Sequence, residues 1–294
     1  MSLWTDIADD ISAATGEPFH CREQQAGGGG CINTTSTVRD GERSYFVKLN
    51  RAELADMFEA EAAGLNEIAA SESIRVPAVI CSGVSGEQSY LVLEQLSLGQ
   101  GNTTSHEQLG HDLAEMHRGY AEHYGWHRDN TIGSTPQRNT PSKDWVNFWR
   151  EQRLRFQLRL AAGNGHGGRL QQLGDQLLPN MEAFFAGHIP SAALLHGDLW
   201  SGNYAFLADG TPVIFDPAVY YGDRETDLAM TELFGGFNAR FYQAYEEAYP
   251  LESGYELRKK LYNLYHVLNH LNLFGGGYLS QAEALMGQLL AEIH

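Results

Sequence analysis

The chain has 294 residues, 43% of them hydrophobic, and its 20 basic and 37 acidic residues give a net charge of −17. This length can bury a large core and suits two lobes, and the acidic balance disfavours a nucleic-acid partner. No run of about 18 apolar residues predicts a membrane helix, and the first residues do not resemble a signal peptide. We therefore expect a cytoplasmic protein with no membrane partner.

The first motif is a glycine run, Gly27–Gly30, that precedes a strand-like segment at 32–38. After a short turn, residues 44–49 predict a second strand, which carries Lys48. Backbone amides in a glycine loop can approach phosphates closely, and a lysine on the next strand can reach them as well. Glycine runs are more often plain flexible loops, but the position of this one before a lysine-bearing strand favours a phosphate site. The candidate phosphate-binding residues are Gly28, Gly29, Gly30 and Lys48.

Cys31 directly follows the glycine run. The three cysteines of the chain, Cys21, Cys31 and Cys81, have neither the number nor the spacing of a disulfide framework or a zinc site. In an exposed loop, the thiolate of Cys31 is a candidate for oxidation. A small, buried or merely tolerated thiol is an equal alternative.

A helical pattern follows, in which Met57, Glu61 and Leu65 share one face. A carboxylate on an apolar helix face is costly unless it is paired. We therefore expect Glu61 to be the ionic partner of Lys48 and Glu59 to be a solvated charge. The alternative is that both carboxylates are exposed.

Residues 89–93 predict a buried strand that runs into Glu94, Gln95 and Leu96, an edge that suits an adenine ring. The polar, glycine-rich segment at 97–102 then predicts a linker. We therefore expect an N-terminal nucleotide-binding lobe at 1–96 and a catalytic lobe at 97–294. Helical spacing recurs in the second lobe at 109–120, 148–160 and 261–273.

Three polar side chains follow a short apolar segment near residue 195. Asp198 is followed five positions later by Asn203 and thirteen positions after that by Asp216. Phosphoryl transfer uses such a set, in which one Asp accepts a hydroxyl proton while an Asn and a second Asp hold Mg²⁺. Each residue alone is more simply interpreted as a loop or turn residue. Together with the upstream phosphate site, they predict phosphoryl transfer to a small or sugar-like hydroxyl.

Two apolar runs at 204–207 and 212–215 are separated by a turn signal, which predicts a hairpin between Asn203 and Asp216. Trp200 lies between Asp198 and Asn203, and its indole offers a flat surface to a sugar or an amine-bearing group. A packing role for Trp200 is an equal alternative.

The other tryptophans and the histidines give no site pattern. Core positions are predicted for Trp126, Trp145 and Trp149. Surface or packing positions are predicted for His117, His123 and His127, which lack the spacing of a metal site.

These segments together resemble the fructosamine kinase (ketosamine 3-kinase) family, which is related to aminoglycoside and choline kinases. The resemblance spans nearly the whole chain. It is carried by the glycine loop with Lys48, by HGDLWSGN at 196–203, by IFDPA at 214–218 and by YGDRETDLAM at 221–230.

The resemblance implies an α+β, protein-kinase-like fold with a small, mainly β N-lobe and a larger, mainly helical C-lobe. It implies ATP and Mg²⁺ as cofactors and phosphorylation of the sugar 3-hydroxyl of a free or protein-bound ketosamine, a reaction linked to deglycation. Another small-molecule kinase, for aminoglycosides or choline, is the alternative, and a non-catalytic nucleotide-binding protein is a weaker one.

The resemblance also implies a role for each candidate residue. It assigns the proton acceptor to Asp198, Mg²⁺ binding to Asn203 and Asp216, phosphate anchoring to Lys48 and Glu61, and adenine contact to Glu94, Gln95 and Leu96. Asp227, near the start of a predicted helix, is expected to brace the catalytic loop through backbone hydrogen bonds.

Overall fold

The structure, a computed structural model, describes residues 2–27 and 32–293. The chain divides into two compact units, Met1–Ser105 with Tyr204–Pro217 and His106–Asn203 with Ala218–His294. This grouping differs from the predicted division after Leu96, because the next nine residues and the hairpin at 204–217 belong to the first unit. The hairpin strand pairs with a strand at Leu98–Gly99, which explains the difference.

The first unit is built on a five-stranded antiparallel sheet with the order β1-β2-β3-β5-β4. Its strands are β1 (Glu23–Ala26), β2 (Thr34–Asp40), β3 (Arg43–Arg51), β4 (Val79–Ser85) and β5 (Gln88–Glu94), and its helices are α1 (Leu3–Thr15) and α2 (Ala55–Ala70), the latter after a 3₁₀ turn at Ala52–Leu54. The sequence-predicted β2–β3 hairpin is confirmed. Gly41 has a φ of 63° in its turn, which favours glycine because it has no Cβ.

Apolar side chains of α1 pack against those of β2, β3 and β5. The resulting core includes Ile7, Ile11, Val38, Val47 and Val92, which are completely buried. Alternation along β3 places Val47 in this core, so the neighbouring Lys48 points to the opposite face of the sheet.

A second, three-stranded sheet of the first unit contains β6 (Leu98–Gly99), β10 (Tyr204–Leu207) and β11 (Pro212–Ile214) in the order β11-β10-β6. Tyr204 pairs with Ile214 in antiparallel register, so the predicted hairpin is confirmed. The hairpin delivers Asp216 two residues beyond the end of β11.

The second unit is mainly helical. Its helices are α3 (Thr103–Met116), in which the chain enters this unit, α4 (Trp145–Phe148), α5 (Arg155–Gly163), α6 (Arg169–Leu177), α7 (Glu225–Leu233), α8 (Ala239–Ala248), α9 (Tyr255–Phe274) and α10 (Tyr278–Glu292). Short strand pairs are formed by β7 (Asn130–Ile132) with β8 (Thr135–Gln137) and by β9 (Ala193–Leu195) with β12 (Tyr220–Gly222). A 3₁₀ segment spans Leu178–Phe185.

The three predicted helices of the second unit are present, with two differences. The helix predicted at 148–160 contains a π-helical segment, Trp149–Leu154. The helix predicted to reach Tyr120 ends at Met116, where a tight turn closed by a Gly119 N–H bond to the Met116 carbonyl changes the chain direction.

The tryptophans predicted as core residues, Trp126, Trp145 and Trp149, are buried. Within the described part of the chain, no helix has the length and apolar character required to cross a membrane.

Candidate active site

Lys48 in β3 is the centre of a charged cluster in the first unit. Its Nζ lies 2.5 Å from Glu61 Oε1 and 2.5 Å from Asp216 Oδ1. The Lys48 side chain is 5% exposed, that of Glu61 is 11% exposed and that of Asp216 is 48% exposed. Burial alone lowers the pKa of Lys48, but the charges of Glu61 and Asp216 raise it above the usual value. The charged form of the ammonium group is therefore favoured, and two carboxylates hold it in position.

The helix pattern correctly separates two carboxylates of α2. Glu61 is on the side of the helix that reaches Lys48, whereas Glu59 is exposed. The contact between Lys48 and Asp216, which are 168 positions apart, is a feature that no local pattern predicts.

Asp216 has a left-handed backbone, with a φ of 58°. Such conformations cost on the order of 1–3 kcal/mol in non-glycine residues and concentrate at functional sites. Asp tolerates this region better than most residues. The backbone of Ile214, just before it, donates to the Arg75 carbonyl at 3.0 Å, which fixes the end of β11.

The residues predicted to contact adenine lie at the end of β5. The Glu94 carboxylate accepts a hydrogen bond from the Ala78 N–H at 3.1 Å and pairs with Arg75. Gln95 accepts a hydrogen bond from the Thr37 hydroxyl at 3.0 Å and donates to the Leu96 carbonyl at 3.3 Å. The side chains of Glu94 and Gln95 are therefore occupied in fixing this segment.

The predicted phosphate loop is described only at its start. Gly28, Gly29, Gly30 and Cys31 lie outside the described residues. Gly27 donates to the Thr35 carbonyl at 2.9 Å, and a Cβ at this position would lie 2.4 Å from Thr35 Oγ1. A larger residue at this position would therefore require the Thr35 side chain to move.

The candidate catalytic loop of the second unit, residues 196–203, follows β9. Gly197 has a φ of 82°, and a Cβ there would lie 2.1 Å from the Ala218 carbonyl oxygen. Only glycine fits this turn, which places Asp198 immediately beyond it. Asn203 Nδ2 donates to the Asp198 carbonyl at 2.8 Å, so the two candidate residues are held together by a direct bond.

Asp227 braces this loop from α7, as expected from the sequence. Its carboxylate accepts hydrogen bonds from the His196 N–H at 2.7 Å and the Gly197 N–H at 2.9 Å. Burial works to raise the pKa of Asp227, but its hydrogen bonds with His117 and Gly197 keep the pKa below the usual value. The carboxylate is therefore ionised and holds the backbone that precedes Asp198.

Trp200 is 39% exposed and lies beside Asp198 in the loop. Its indole rests on Gly202, where a Cβ would lie 2.4 Å from the ring, and faces Phe234 edge-on at 6.4 Å between centroids. One face of the loop therefore carries a partly exposed aromatic surface.

His117 occupies a packing position, one of the two that were predicted for it. It is completely buried and makes hydrogen bonds with Asp227 at 3.2 Å and with the Tyr245 hydroxyl at 2.8 Å. Sequence spacing gives no signal for this contact, because the partners lie 110 and 128 positions away.

A second polar cluster was not predicted. His188 lies 2.7 Å from both Asp223 and Glu252, and Arg258 pairs with Glu225 at 2.7 Å. His188, Asp223 and Glu225 are close enough together to hold a metal ion. However, Arg258 neutralises Glu225, and a protonated His188 can donate to both of its carboxylate neighbours, so an ion-pair network accounts for the cluster.

The donor chemistry of Asn203 and Asp216 fits Mg²⁺, a hard cation that prefers oxygen ligands. The amide nitrogen of Asn203 donates to the Asp198 carbonyl, and an amide oxygen is among the ligand types that a hard cation prefers. Asp216 offers a half-exposed carboxylate.

Comparison with known proteins identifies the relatives of this chain. The sequence model of the family described as "Fructosamine kinase" matches residues 3–292. The chain is 51% identical to "Probable ketoamine kinase slr1563" of Synechocystis sp. PCC 6803, across 98% of this chain and 97% of that protein. It is 44% identical to "Protein-ribulosamine 3-kinase, chloroplastic" of Arabidopsis thaliana, across 90% of this chain and 81% of that protein.

Solved structures confirm the predicted α+β, protein-kinase-like fold. The structure named "Putative fructosamine-3-kinase" from Haemophilus somnus 129PT has a TM-score of 0.90 and 30% identity, and covers 98% of this chain and 100% of that one. An ADP-bound aminoglycoside phosphotransferase, APH(2'')-Ib, has a TM-score of 0.64 with 12% identity, covering 96% and 98%, a likeness that shows the fold alone.

Proposed function

The chain belongs to the fructosamine kinase family, and from this premise we propose that it uses ATP to phosphorylate the sugar 3-hydroxyl of ketosamines, which are fructosamine or ribulosamine adducts of amines. The observation that carries the proposal is the match along nearly the whole chain to ketoamine and ribulosamine kinases. Phosphorylation makes such adducts labile, so deglycation repair is the proposed biological role.

In the first unit, Lys48 is the proposed phosphate anchor. Glu61 holds the ammonium group from the buried side at 2.5 Å. A lysine in this position stabilises the negative charge of the α and β phosphates. The loop residues Gly28, Gly29 and Gly30 are proposed to contribute backbone N–H groups, and the backbone at 94–96 is proposed to contact adenine.

In the second unit, Asp198 is the proposed proton acceptor for the sugar hydroxyl. Asp227 fixes the backbone just before it through two N–H bonds, and a positioned base contributes about 10²- to 10⁴-fold to such reactions. Asn203 and Asp216 are the proposed ligands of Mg²⁺, which when bound neutralises the developing phosphate charge.

Trp200 is the proposed contact for the acceptor. Its partly exposed indole lies two residues from Asp198, and ketosamines carry a secondary ammonium that an indole face can attract. A Trp200→Leu variant keeps an apolar side chain but removes the ring, so it should raise the KM for the ketosamine and leave the KM for ATP unchanged.

The proposal is tested by ATP turnover with fructosyl-lysine, ribulosyl-lysine, choline and an aminoglycoside as acceptors. We expect turnover with the two ketosamines and a phosphate on the sugar 3-oxygen, located by NMR. Turnover of choline or the aminoglycoside alone would refute the ketosamine assignment.

A further inference from the structure

A chain of hydrogen bonds runs behind the catalytic loop and ends on the carboxylate that braces it. Arg224 Nη1 lies 3.0 Å from the Tyr245 hydroxyl, which lies 2.8 Å from His117 Nδ1. His117 Nε2 then lies 3.2 Å from Asp227 Oδ2. The same carboxylate oxygen accepts the His196 N–H, and Oδ1 accepts that of Gly197.

All four side chains of this chain of hydrogen bonds are buried. His117 is 0% exposed, Tyr245 and Asp227 are each 1% exposed and Arg224 is 8% exposed. Burial lowers the pKa of the His117 imidazole, which favours the neutral form of the ring. A neutral imidazole has one donor nitrogen and one acceptor nitrogen, and its neighbours decide which is which.

The direction of each bond follows from the donors that are available. A guanidinium can only donate, so Arg224 gives a hydrogen to the Tyr245 oxygen. The ionised Asp227 carboxylate can only accept, so a neutral His117 ring donates to it from Nε2, and the phenolic hydrogen of Tyr245 is directed to Nδ1, which is the acceptor. The remaining hydrogen of His117 is on Nε2, which faces the Asp227 carboxylate.

We propose that His117 is a positioning residue, whose tautomer is set by Arg224 and Tyr245 so that Nε2–H orients the Asp227 carboxylate against the catalytic loop. The inference rests on the proposed function, since Asp198 is the group that the loop presents. Loss of the Nε2 donor removes one of three hydrogen bonds to a buried carboxylate. The carboxylate can then rotate away from the two backbone N–H groups that fix the turn before Asp198.

Two substitutions of His117 distinguish the loss of the Nε2–H donor from the loss of the ring itself. The amide nitrogen of His117→Gln reaches the position of Nε2 and can still donate to Asp227, whereas that of His117→Asn lies near the position of Nδ1. We expect His117→Gln to retain most of kcat. We expect His117→Asn to lose about 10- to 100-fold in kcat, the effect of one hydrogen bond to a charged group, with little change in the KM for ATP.

Tyr245→Phe removes only the hydroxyl that sets the tautomer. We expect it to lower kcat less than His117→Asn does. The matched control is Tyr249→Phe, which keeps the ring that stacks on Arg224 at 3.7 Å and loses a hydroxyl bonded to Tyr120. This control should leave kcat unchanged.

The tautomer is read directly from the ¹⁵N chemical shifts of the His117 ring. We expect the Nε2–H form in the wild type and a mixture of tautomers in Tyr245→Phe. An Nδ1–H form or an imidazolium in the wild type overturns the proposal, as does an equal loss of kcat in His117→Gln and His117→Asn. The NMR result requires no acceptor, whereas failure of the proposed function appears as wild-type protein that turns over no ketosamine.

Discussion

Removing the charge of Glu61 tests whether the buried cluster in the first unit both stabilises the protein and serves catalysis. In Glu61→Gln, Lys48 keeps only Asp216, whose side chain is 48% exposed, against 11% for Glu61. Breaking a buried ion pair costs about 3–5 kcal/mol. We expect the lower end, about 3 kcal/mol, because Asp216 still offsets part of the lysine charge. That loss corresponds to a fall in Tm of about 6–12 °C.

The same change should affect phosphoryl transfer. Without Glu61, Lys48 is attracted by Asp216 alone, away from the position in which Glu61 holds it for the nucleotide. We expect kcat/KM for ATP to fall by about 100-fold, or about 2.7 kcal/mol. The assays are thermal unfolding and coupled ADP release with a ketosamine acceptor.

Glu59→Gln is the matched control, because it makes the same chemical change two residues earlier on α2 at an exposed position. Surface substitutions of this kind usually change stability by less than about 0.5 kcal/mol. If the two variants have equal Tm and equal turnover, Glu61 has neither of the roles assigned to it.

Four further predictions concern the catalytic base, the cation, the pH dependence of the His188 ion pairs and the predicted redox cysteine. Asp198→Ala should lower turnover by at least about 100-fold while ATP binding, measured by calorimetry, is retained; unchanged turnover would contradict the base assignment. Removal of divalent cations with EDTA should abolish turnover, and added Mg²⁺ should restore it. Burial opposes protonation of His188, but its hydrogen bonds to Asp223 and Glu252 raise its pKa above the usual value. Its stabilising contribution should therefore be complete below about pH 6.5 and be lost as pH rises through the raised pKa. The free energy of unfolding of the wild type and of His188→Gln is measured by urea titration at acidic and at alkaline pH. The difference between the two proteins should be smaller at alkaline pH. A difference that does not depend on pH would refute the stabilising role of the His188 ion pairs. If Cys31 is redox-active, reductant should change the activity of the wild type but not of Cys31→Ser, and an identical response in both proteins would remove the redox interpretation.

The sequence predicted the elements that depend on local patterns. Alternation and turn residues predicted the β2–β3 and β10–β11 hairpins, and the strand pairing of the structure confirms both. Helical spacing predicted that Glu61 lies on the buried face of its helix and Glu59 on the exposed face, because residues on one helix face recur every three to four positions. The π-helical segment at Trp149–Leu154 could not be predicted in this way. A π-helix differs from an α-helix in its hydrogen bonds, which join residues five positions apart instead of four.

By itself, the sequence predicted a member of the fructosamine kinase family, which the family match confirms, and it predicted Lys48, Asp198, Asn203 and Asp216 as the residues that carry the reaction. Only the tertiary structure showed that Asp216 contacts Lys48 and that His117 supports Asp227. The reason is physical: a hydrogen bond between residues more than a hundred positions apart depends on how the elements pack. Burial, which lowers the pKa of His117, is likewise a property of packing and not of any local pattern.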